Sequence, residues 1–163
     1  MLPDQPGMNP NSSPQPTATG PVQIRACQPA DSDGIVALLG QLWPGRPFDM
    51  EALRRVYDRA LASDRQFYFC AVCDQQVVGF GTLDIKSNLW NEGVVGFVDE
   101  LVVDAAHRGR GIGSRMLDRL SIEARERGCR RLELDSAFHR QEAHAFYEQR
   151  GFASRAFLYT KLL

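Results

Sequence analysis

A glycine-rich turn, Arg108-Gly109-Arg110-Gly111-Ile112-Gly113, carries the residues of this sequence that are best suited to bind a charged ligand. The turn stands between an apolar, strand-like run and a helix-like stretch, and the first backbone N–H groups of a helix have no intrahelical acceptor. Glycines at alternate positions allow left-handed conformations, so consecutive N–H groups can point into one concavity. Arg108 and Arg110 add full positive charges to the partial charge of the helix terminus. The turn is therefore predicted to bind an anion such as a phosphate group.

The spacing of these glycines excludes two common nucleotide-binding signatures. A P-loop ends in Gly-Lys-Ser or Gly-Lys-Thr, whereas here Gly113 is followed by Ser114 and Arg115. The dinucleotide fingerprint has the spacing G-x-G-x-x-G, whereas this turn has G-x-G-x-G. A flexible glycine turn with incidental arginines is the alternative that the residues alone leave open.

Two acidic residues interrupt an otherwise apolar run, and their position needs an explanation. Asp99 and Glu100 lie within the run 94–103, which we predict to be a strand. Adjacent residues of a strand face opposite sides, so only one of the two carboxylates is expected to face a cleft. A charged pair at a bulge is the alternative interpretation.

The cysteines and histidines do not form a pattern of metal ligands. Cys70-x-x-Cys73 lacks a second matching pair, and residues three apart on a strand point to opposite faces. His139 and His144 are five apart, whereas a metal pair on one helix face has i, i+4 spacing. We therefore expect no metal site, and interpret the cysteines as small apolar residues in a reducing compartment.

The elements that must position these residues follow from hydrophobic periodicity. Strands are predicted at 22–27, 66–73, 76–85, 94–103, 131–135 and 157–163. Helices are predicted from Pro29 through Leu42 and at 50–63, 112–127 and 141–150. This order predicts an α+β fold in one domain, with a central mixed, mostly antiparallel sheet of about six or seven strands flanked by about four helices. The two strand-helix-strand crossovers in the second half are expected to be parallel and right-handed.

Amino-acid composition indicates where the folded domain begins and which classes of partner it is expected to lack. Six of the nine prolines lie in the first 21 residues, so we expect a disordered Pro-rich tail at 1–20 and a single folded domain at 21–163. With 19 basic and 20 acidic residues the net charge is −1, and we expect no nucleic-acid or membrane partner. The sequence has neither a membrane-length apolar run nor the pattern of a signal peptide, so we expect a cytoplasmic protein.

The turn resembles motif A of the GNAT superfamily, the acetyl-CoA-dependent N-acetyltransferases. That signature is Arg or Gln, two residues, Gly, one residue, then Gly or Ala, and it reads here Arg108-x-x-Gly111-x-Gly113. The run 101–104, Leu-Val-Val-Asp, is similar to the family's fourth strand, and Ala143-x-x-Phe146-Tyr147-x-x-x-Gly151-Phe152 is similar to its C-terminal motif. The resemblance covers residues 22–163 in element order and is strongest over 99–152. It implies a GNAT-like fold with acetyl-CoA as co-substrate.

The resemblance implies which residues hold the cofactor. The main chain of Leu101 and Val103 would pair with the pantetheine arm like an added strand, and a backbone N–H of this strand would polarise the thioester carbonyl. Arg140 stands where many members have Asn, three residues before the motif alanine. The full set of implied cofactor-binding residues is Leu101, Val102, Val103, Arg108, Gly109, Arg110, Gly111, Ile112, Gly113, Ser114, Arg140, Ala143 and Phe146.

The resemblance also implies the catalytic residues. Tyr147 would protonate the departing thiolate, since an unperturbed phenol with a pKa of about 10 is protonated at neutral pH. An aromatic that only packs against its neighbours is the alternative for Tyr147. Glu100 or Asp99 would take the proton of the amine, directly or through water, and Glu100 is preferred.

These residues lead to one expected activity and one alternative. The expected protein is an N-acetyltransferase that moves the acetyl group of acetyl-CoA to a primary amine of a small molecule or peptide by direct attack. The alternative is an acyl-CoA-binding sensor or interaction module without transferase activity. A homodimer is expected because many similar proteins form one.

Overall fold

Six strands and four α-helices make up the described part of the chain, residues 19–163 of a computed structural model. The strands are β1 Gln23–Ala26, β2 Gln66–Cys73, β3 Gln76–Asn88, β4 Gly93–Val98, β5 Leu101–Val103 and β6 Leu132–Leu134. The helices are α1 Ser32–Leu42, α2 Met50–Leu61, α3 Ile112–Glu126 and α4 Gln141–Glu148. The predicted α+β fold is confirmed, and the predicted bounds hold to within a few residues apart from two differences given below.

β3 is the longest strand and pairs along one edge with two strands in succession. Its residues 84–88 pair antiparallel with β4, and its residues 79–81 pair antiparallel with β5. β4 in turn pairs with β6 in parallel, so the parallel direction predicted for the crossover through α3 is confirmed. The sheet order is β1-β2-β3-β4-β6, with β5 attached to β3 alone. Within the described residues the outer edge of β5 therefore has no strand partner, and the sheet opens there.

The helices cover the two faces of the sheet. Ile35 and Leu38 of α1 and Tyr57 of α2 pack on one face, against a cluster that includes Cys70. α3 covers the other face, where Cys73 lies, so the two cysteines point to opposite sides as predicted. The longest of these helices, α3, has 15 residues, and no helix between residues 19 and 163 is long and apolar enough to cross a membrane.

The first difference from the predicted elements is a break in the run 94–103. The chain forms β4 and β5 with Asp99 and Glu100 between them, outside both strands. The N–H of Thr82 donates to the carbonyl of Glu100 at 3.0 Å, so β3 bridges the break. Periodicity missed the break because apolar residues on both sides of it continue to pack against the sheet.

The second difference is at the C-terminus, where the strand predicted at 157–163 is wrong. Residues 153–163 form no helix or strand, so the second predicted crossover does not form either. Gly151, at φ +83°, ends the turn after α4, and the chain then continues without pairing with the sheet. The apolar pattern of this segment indicates a strand, but a strand exists only when an edge is available to pair with it.

The predicted tail at 1–20 lies outside the described residues except for its last two positions, and stays a prediction. Its final residue, Gly20, is held by the domain. The N–H of Gly20 donates to Asp74 Oδ2 at 3.2 Å, and its carbonyl accepts from Arg110 Nη2 at 3.2 Å.

Candidate active site

The glycine-rich turn adopts the backbone conformation that an anion site requires. Gly109 and Gly111 have φ values of +74° and +73°, which residues with a side chain rarely adopt. α3 begins directly after them, and its first intrahelical bond runs from the N–H of Arg115 to the carbonyl of Gly111 at 3.1 Å. The N–H groups of the three residues 112–114 precede that bond and lie at the positive end of the helix dipole.

A second set of hydrogen bonds fixes the start of this turn. The carboxylate of Asp104 accepts from the N–H of Ala106 at 3.0 Å and lies 2.8 Å from Nδ1 of His107. Gln41, at the end of α1, donates to Asp104 at 2.7 Å and accepts from the N–H of Ala105 at 2.9 Å. His107 is buried here. These hydrogen bonds connect the residues before the turn to the C-terminal end of α1.

Arg150 is a residue of this site that the sequence interpretation missed. Its guanidinium donates to the hydroxyl of Ser114 and lies over the ring of Phe146, with 3.9 Å between its Cζ and the ring centroid. It therefore places a cation beside the N-terminus of α3. The i, i+4 spacing of Phe146 and Arg150 on the predicted helix is the signal that could have found it.

These elements enclose a cleft of about 1160 Å³. Its walls are the C-terminal end of α1, strand β5, the glycine-rich turn and α4. All of the predicted cofactor-binding residues except Arg110 line the cleft, and Tyr147 lines it too. Arg110 instead reaches away to the carbonyl of Gly20. Trp43 and Arg46, which follow α1, line the cleft and were not predicted.

Arg140 joins the two walls of the cleft. It stands at the N-terminus of α4, and its Nη2 donates to the carbonyl of Leu42 at 2.6 Å. The guanidinium is therefore held by the last residue of α1. Its positive charge also acts on Tyr147.

Tyr147 is held between two aromatic rings. Its ring makes edge-to-face contacts with Phe146 and Phe152, with centroid distances of 5.3 and 5.7 Å. Burial raises the pKa of the Tyr147 phenol, the charge of Arg140 opposes this shift, and the charge of Asp135 adds to it. The phenol is therefore protonated at neutral pH and has a proton to give.

Asp99 and Glu100 both lie on the face of the sheet that carries α1 and α2. Glu100 alternates with Val102, which packs in the cluster on that face. Asp99 acts electrostatically on the Glu100 carboxyl and on the Tyr68 phenol, as Asp84 of β3 does. The expectation that the two carboxylates face opposite sides is wrong, because the chain leaves the strand conformation between β4 and β5.

Thr82 fixes the position of Glu100. The hydroxyl of Thr82 donates to Oε2 of Glu100 at 2.7 Å, and Oγ1 of Thr82 accepts from the N–H of Glu100 at 3.0 Å. Burial raises the pKa of the Glu100 carboxyl, the Thr82 hydrogen bond opposes this shift, and the charges of Asp99, Asp84 and Asp135 add to it. Glu100 is a stronger base than an ordinary glutamate.

The neighbouring carboxylates make this part of the sheet acidic, although neither Asp99 nor Glu100 is among the residues that line the cleft. Desolvation and the charge of Asp84 raise the pKa of Asp99, while Lys86 opposes the shift. The pKa of the Tyr68 phenol is raised as well, mainly by burial and further by the charges of nearby carboxylates. Four carboxyl groups, those of Asp84, Asp99, Glu100 and Asp135, therefore act on one another here.

Within the described residues, one group of side chains is close enough to hold a metal ion. The ligand atoms of Cys27, Asp31 and Cys70 lie within 4.8 Å of one another and are buried. However, Arg25 donates to both carboxylate oxygens of Asp31, at 2.7 and 2.8 Å. The geometry is that of a partly buried ion pair beside two thiols, and it lies apart from the cleft.

Comparisons with known proteins agree with this architecture. A family model described as acetyltransferase (GNAT) family matches residues 33–152. The chain is 31% identical over 141 residues to an aminoalkylphosphonate N-acetyltransferase of Salmonella typhimurium, covering 86% of this chain and 91% of that protein. It is 34% identical over 138 residues to glucosamine 6-phosphate N-acetyltransferase 1 of Oryza sativa subsp. japonica, covering 82% of each.

A solved structure shows the same fold. The aminoglycoside N-acetyltransferase AAC(6')-Iy, in complex with CoA, superposes with a TM-score of 0.76 at 23% identity, covering 86% of this chain and 94% of that one. The matched family model spans the glycine-rich turn, the acidic break and Tyr147 alike. By motif, fold and sequence, this chain belongs to the acetyltransferase (GNAT) family and is an N-acetyltransferase.

Proposed function

We propose that this N-acetyltransferase moves the acetyl group of acetyl-CoA to a primary amine of a small molecule that carries more than one positive charge. The single observation that carries the proposal is the carboxylate of Glu100, which Thr82 holds among other carboxylates, next in sequence to the cleft-lining residue Leu101. The acyl-CoA-binding sensor has no support from the relatives, which are named as transferases.

The residues of the cleft fit acetyl-CoA. The open edge of β5 offers backbone N–H and C=O groups to an extended pantetheine arm. The N-terminus of α3, with Gly109 and Gly111 in left-handed conformations and Arg150 beside it, suits a pyrophosphate. Acetyl-CoA supplies the activated acetyl thioester, and the chain binds and orients it.

Glu100 and Tyr147 share the proton transfers. Glu100 accepts a proton from the ammonium of the acceptor, directly or through water, so that a neutral amine attacks the thioester carbonyl. The C–N bond forms as the C–S bond breaks, Tyr147 gives its proton to the departing sulfur, and the proton that the attacking nitrogen then loses returns through solvent to the Tyr147 phenolate. The amine attacks the carbonyl carbon itself, and no covalent intermediate on the protein is needed.

The carboxylates around Glu100 favour a cationic acceptor. Once Glu100 has taken one proton, the charges of Asp84, Asp99 and Asp135 remain to attract a second ammonium on the same molecule. A phosphate or phosphonate on the acceptor would be repelled by the same charges. We therefore place the substrate among polyamines and amino sugars with several amines, rather than among phosphorylated amines.

An acetyl-transfer screen by mass spectrometry tests this proposal with matched acceptors. Glucosamine is compared with glucosamine 6-phosphate, and ethylenediamine with 2-aminoethylphosphonate, alongside an aminoglycoside and spermidine. We expect acetylated products from the members with several amines, and little from either phosphorylated member. Product from the phosphorylated members alone would overturn the acceptor class, whereas binding of acetyl-CoA with no product from any amine would support the sensor.

The remaining proposals come from the sequence. We infer a cytoplasmic enzyme that has no nucleic-acid or membrane partner and needs no metal, from its charge balance and the lack of a metal-ligand pattern. A homodimer is the oligomeric state we propose.

A further inference from the structure

Two thiols, those of Cys27 and Cys70, are in contact in the core on the face of the sheet that carries α1 and α2. Their Sγ atoms are 2.7 Å apart. The two sulfur atoms of a disulfide are about 2.05 Å apart, so a small movement would bring these thiols to bonding distance. Cys70 is fully buried and Cys27 is 9% exposed. Acetyl transfer as proposed above uses neither side chain.

The pairing of β1 with β2 fixes this contact. Cys70 lies in β2 directly opposite Arg25 of β1. β1 ends at Ala26, and the N–H of the next residue, Cys27, donates to the carbonyl of Tyr68 at 2.9 Å. Both cysteines are therefore held by main-chain hydrogen bonds, and their short side chains have few other positions to adopt.

An ion pair lies beside the two thiols and influences their reactivity. The guanidinium of Arg25, which is bonded to Asp31, acts electrostatically on both sulfurs. A nearby cation favours the thiolate, which is the form of cysteine that oxidants attack. The hydrogen bond with Cys27 and burial both raise the pKa of the Cys70 thiol, so Cys70 keeps its proton. Cys27, the more exposed of the two, is therefore the sulfur that reacts first.

The same geometry disfavours a metal ion at this cluster. Asp31 is the third potential ligand, and both of its carboxylate oxygens accept from Arg25. Two sulfurs bound to one tetrahedral zinc ion, at about 2.3 Å each, lie about 3.8 Å from each other. The observed separation of 2.7 Å is shorter and favours a bond between the sulfurs.

We propose that Cys27 and Cys70 are an oxidative modification site, which a hydroperoxide converts into an intramolecular disulfide. The Cys27 thiolate attacks one peroxide oxygen, the O–O bond breaks, and Cys27 becomes a sulfenic acid while the leaving oxygen takes up the proton that Cys27 released. The sulfur of Cys70 then attacks that of Cys27. The S–S bond forms as the S–O bond breaks, and the hydroxyl leaves as water with the proton of Cys70. With hydrogen peroxide, two thiols lose two electrons and one peroxide becomes two water molecules.

The disulfide closes the part of the chain that forms one wall of the cleft. Between the two cysteines lie α1, α2 and the cleft-lining residues Trp43 and Arg46. A cross-link that closes a long loop destabilises the unfolded chain. Because the two sulfurs are already in contact in the folded chain, the oxidised protein keeps its fold and unfolds at a higher temperature. In a reducing compartment such a disulfide is transient and responds to oxidants.

Peptide mapping of the full-length chain tests this proposal. The protein is treated with an equimolar amount of hydrogen peroxide, denatured in iodoacetamide and digested with trypsin. We expect the intact chain to lose two hydrogen atoms, and the tryptic peptides 26–54 and 66–86 to be linked. The second peptide also contains Cys73, whose Sγ donates to the carbonyl of Gly20 on the other face of the sheet. Cys73→Ala, which should leave the link in place, makes the assignment unambiguous.

Two matched variants and thermal unfolding complete the test. Cys129 is the most exposed of the four cysteines, and Cys129→Ser should form the disulfide like the wild type. Cys27→Ser should leave Cys70 as a thiol at the same peroxide dose. Oxidised wild type should melt roughly 5–10 °C above the reduced protein, whereas the Tm of Cys27→Ser should not respond to peroxide.

The wild-type map decides the proposal even if Cys27→Ser does not fold. Oxidation of Cys129 while Cys27 and Cys70 stay unlinked would overturn the modification site, as would a chain in which all four thiols resist peroxide. A linked chain whose Tm does not rise would overturn the stabilising role of the disulfide.

Discussion

The hydroxyl of Thr82 makes two hydrogen bonds to one residue, donating to the carboxylate of Glu100 at 2.7 Å and accepting from its N–H at 3.0 Å. Thr82 lies on β3 between the part that pairs with β4 and the part that pairs with β5. The base of the proposed reaction is therefore anchored to the same strand that carries the cofactor-binding β5.

Glu100→Gln should lower kcat/KM for the amine by about 100-fold or more, because general-base catalysis contributes roughly 10²–10⁴-fold. The amide keeps the acceptor for the Thr82 hydroxyl and loses the base. Asp99→Asn is the matched control and should reduce kcat/KM less. Steady-state kinetics over pH 6–9 measures both, and an unchanged pH profile in Glu100→Gln would assign the base elsewhere.

Thr82→Val should change the position and the basicity of Glu100 while leaving its carboxylate in place. The Thr82 hydrogen bond lowers the pKa of Glu100, so without it that pKa rises further. We expect the acidic limb of the pH–rate profile to move to higher pH. Thr82→Ser restores the hydroxyl and should restore the wild-type profile; if Ser and Val behave alike, Thr82 has no role in positioning the base.

Tyr147→Phe should lower kcat by about 10- to 100-fold, since proton transfer to the leaving sulfur is lost. The ring contacts with Phe146 and Phe152 remain, so the affinity for acetyl-CoA should change little. Calorimetry with CoA and single-turnover kinetics separate the two effects. If the variant turns over as fast as the wild type, Tyr147 has only a packing role.

Arg150→Ala should weaken acetyl-CoA binding by about 10-fold, the effect of losing one hydrogen bond to a charged group. Acetyl-pantetheine, which lacks the pyrophosphate, is the matched probe, and its use by the variant should be unchanged. A loss that is the same for both compounds would show that Arg150 acts through the packing of Phe146 and not on the phosphates.

The raised pKa of Glu100 also predicts how stability depends on pH. A carboxyl group whose pKa is higher in the folded state favours folding below its unfolded pKa, and this contribution is lost as the pH rises through the folded value. Glu100→Gln should therefore raise Tm at pH 8. The gain should shrink as the pH falls towards the ordinary glutamate pKa of 4.5.

A control variant tests that pH dependence. Glu126→Gln removes an exposed carboxylate at the end of α3 and should leave Tm nearly constant. Thermal unfolding of both variants and of the wild type at pH 4, 6 and 8 gives the comparison. A gain in Glu100→Gln that is equally large at pH 4 would come from something other than the ionisation of Glu100.

Local patterns predicted most of this structure, and both failures concern pairing between strands, which local patterns do not determine. The glycine-rich turn and the helix after it could be predicted because a left-handed conformation and a free helix terminus are properties of neighbouring residues. The facing of Asp99 and Glu100 could not, because it depends on β3 pairing with β4 and β5 in succession. The position of 157–163 could not either, since periodicity predicts a strand without identifying its partner.

The gap between β4 and β5 is held by a main-chain hydrogen bond from the N–H of Thr82 to the carbonyl of Glu100, and a change of the Asp99 side chain leaves that bond in place. The part of the domain that binds acetyl-CoA can therefore stay unchanged while residues on the amine side are substituted one at a time. A fold with this division can be adapted to new amines through a few point changes at the gap. Re-engineering the acceptor preference of this enzyme should begin at Asp99, because Glu100 is the proposed base.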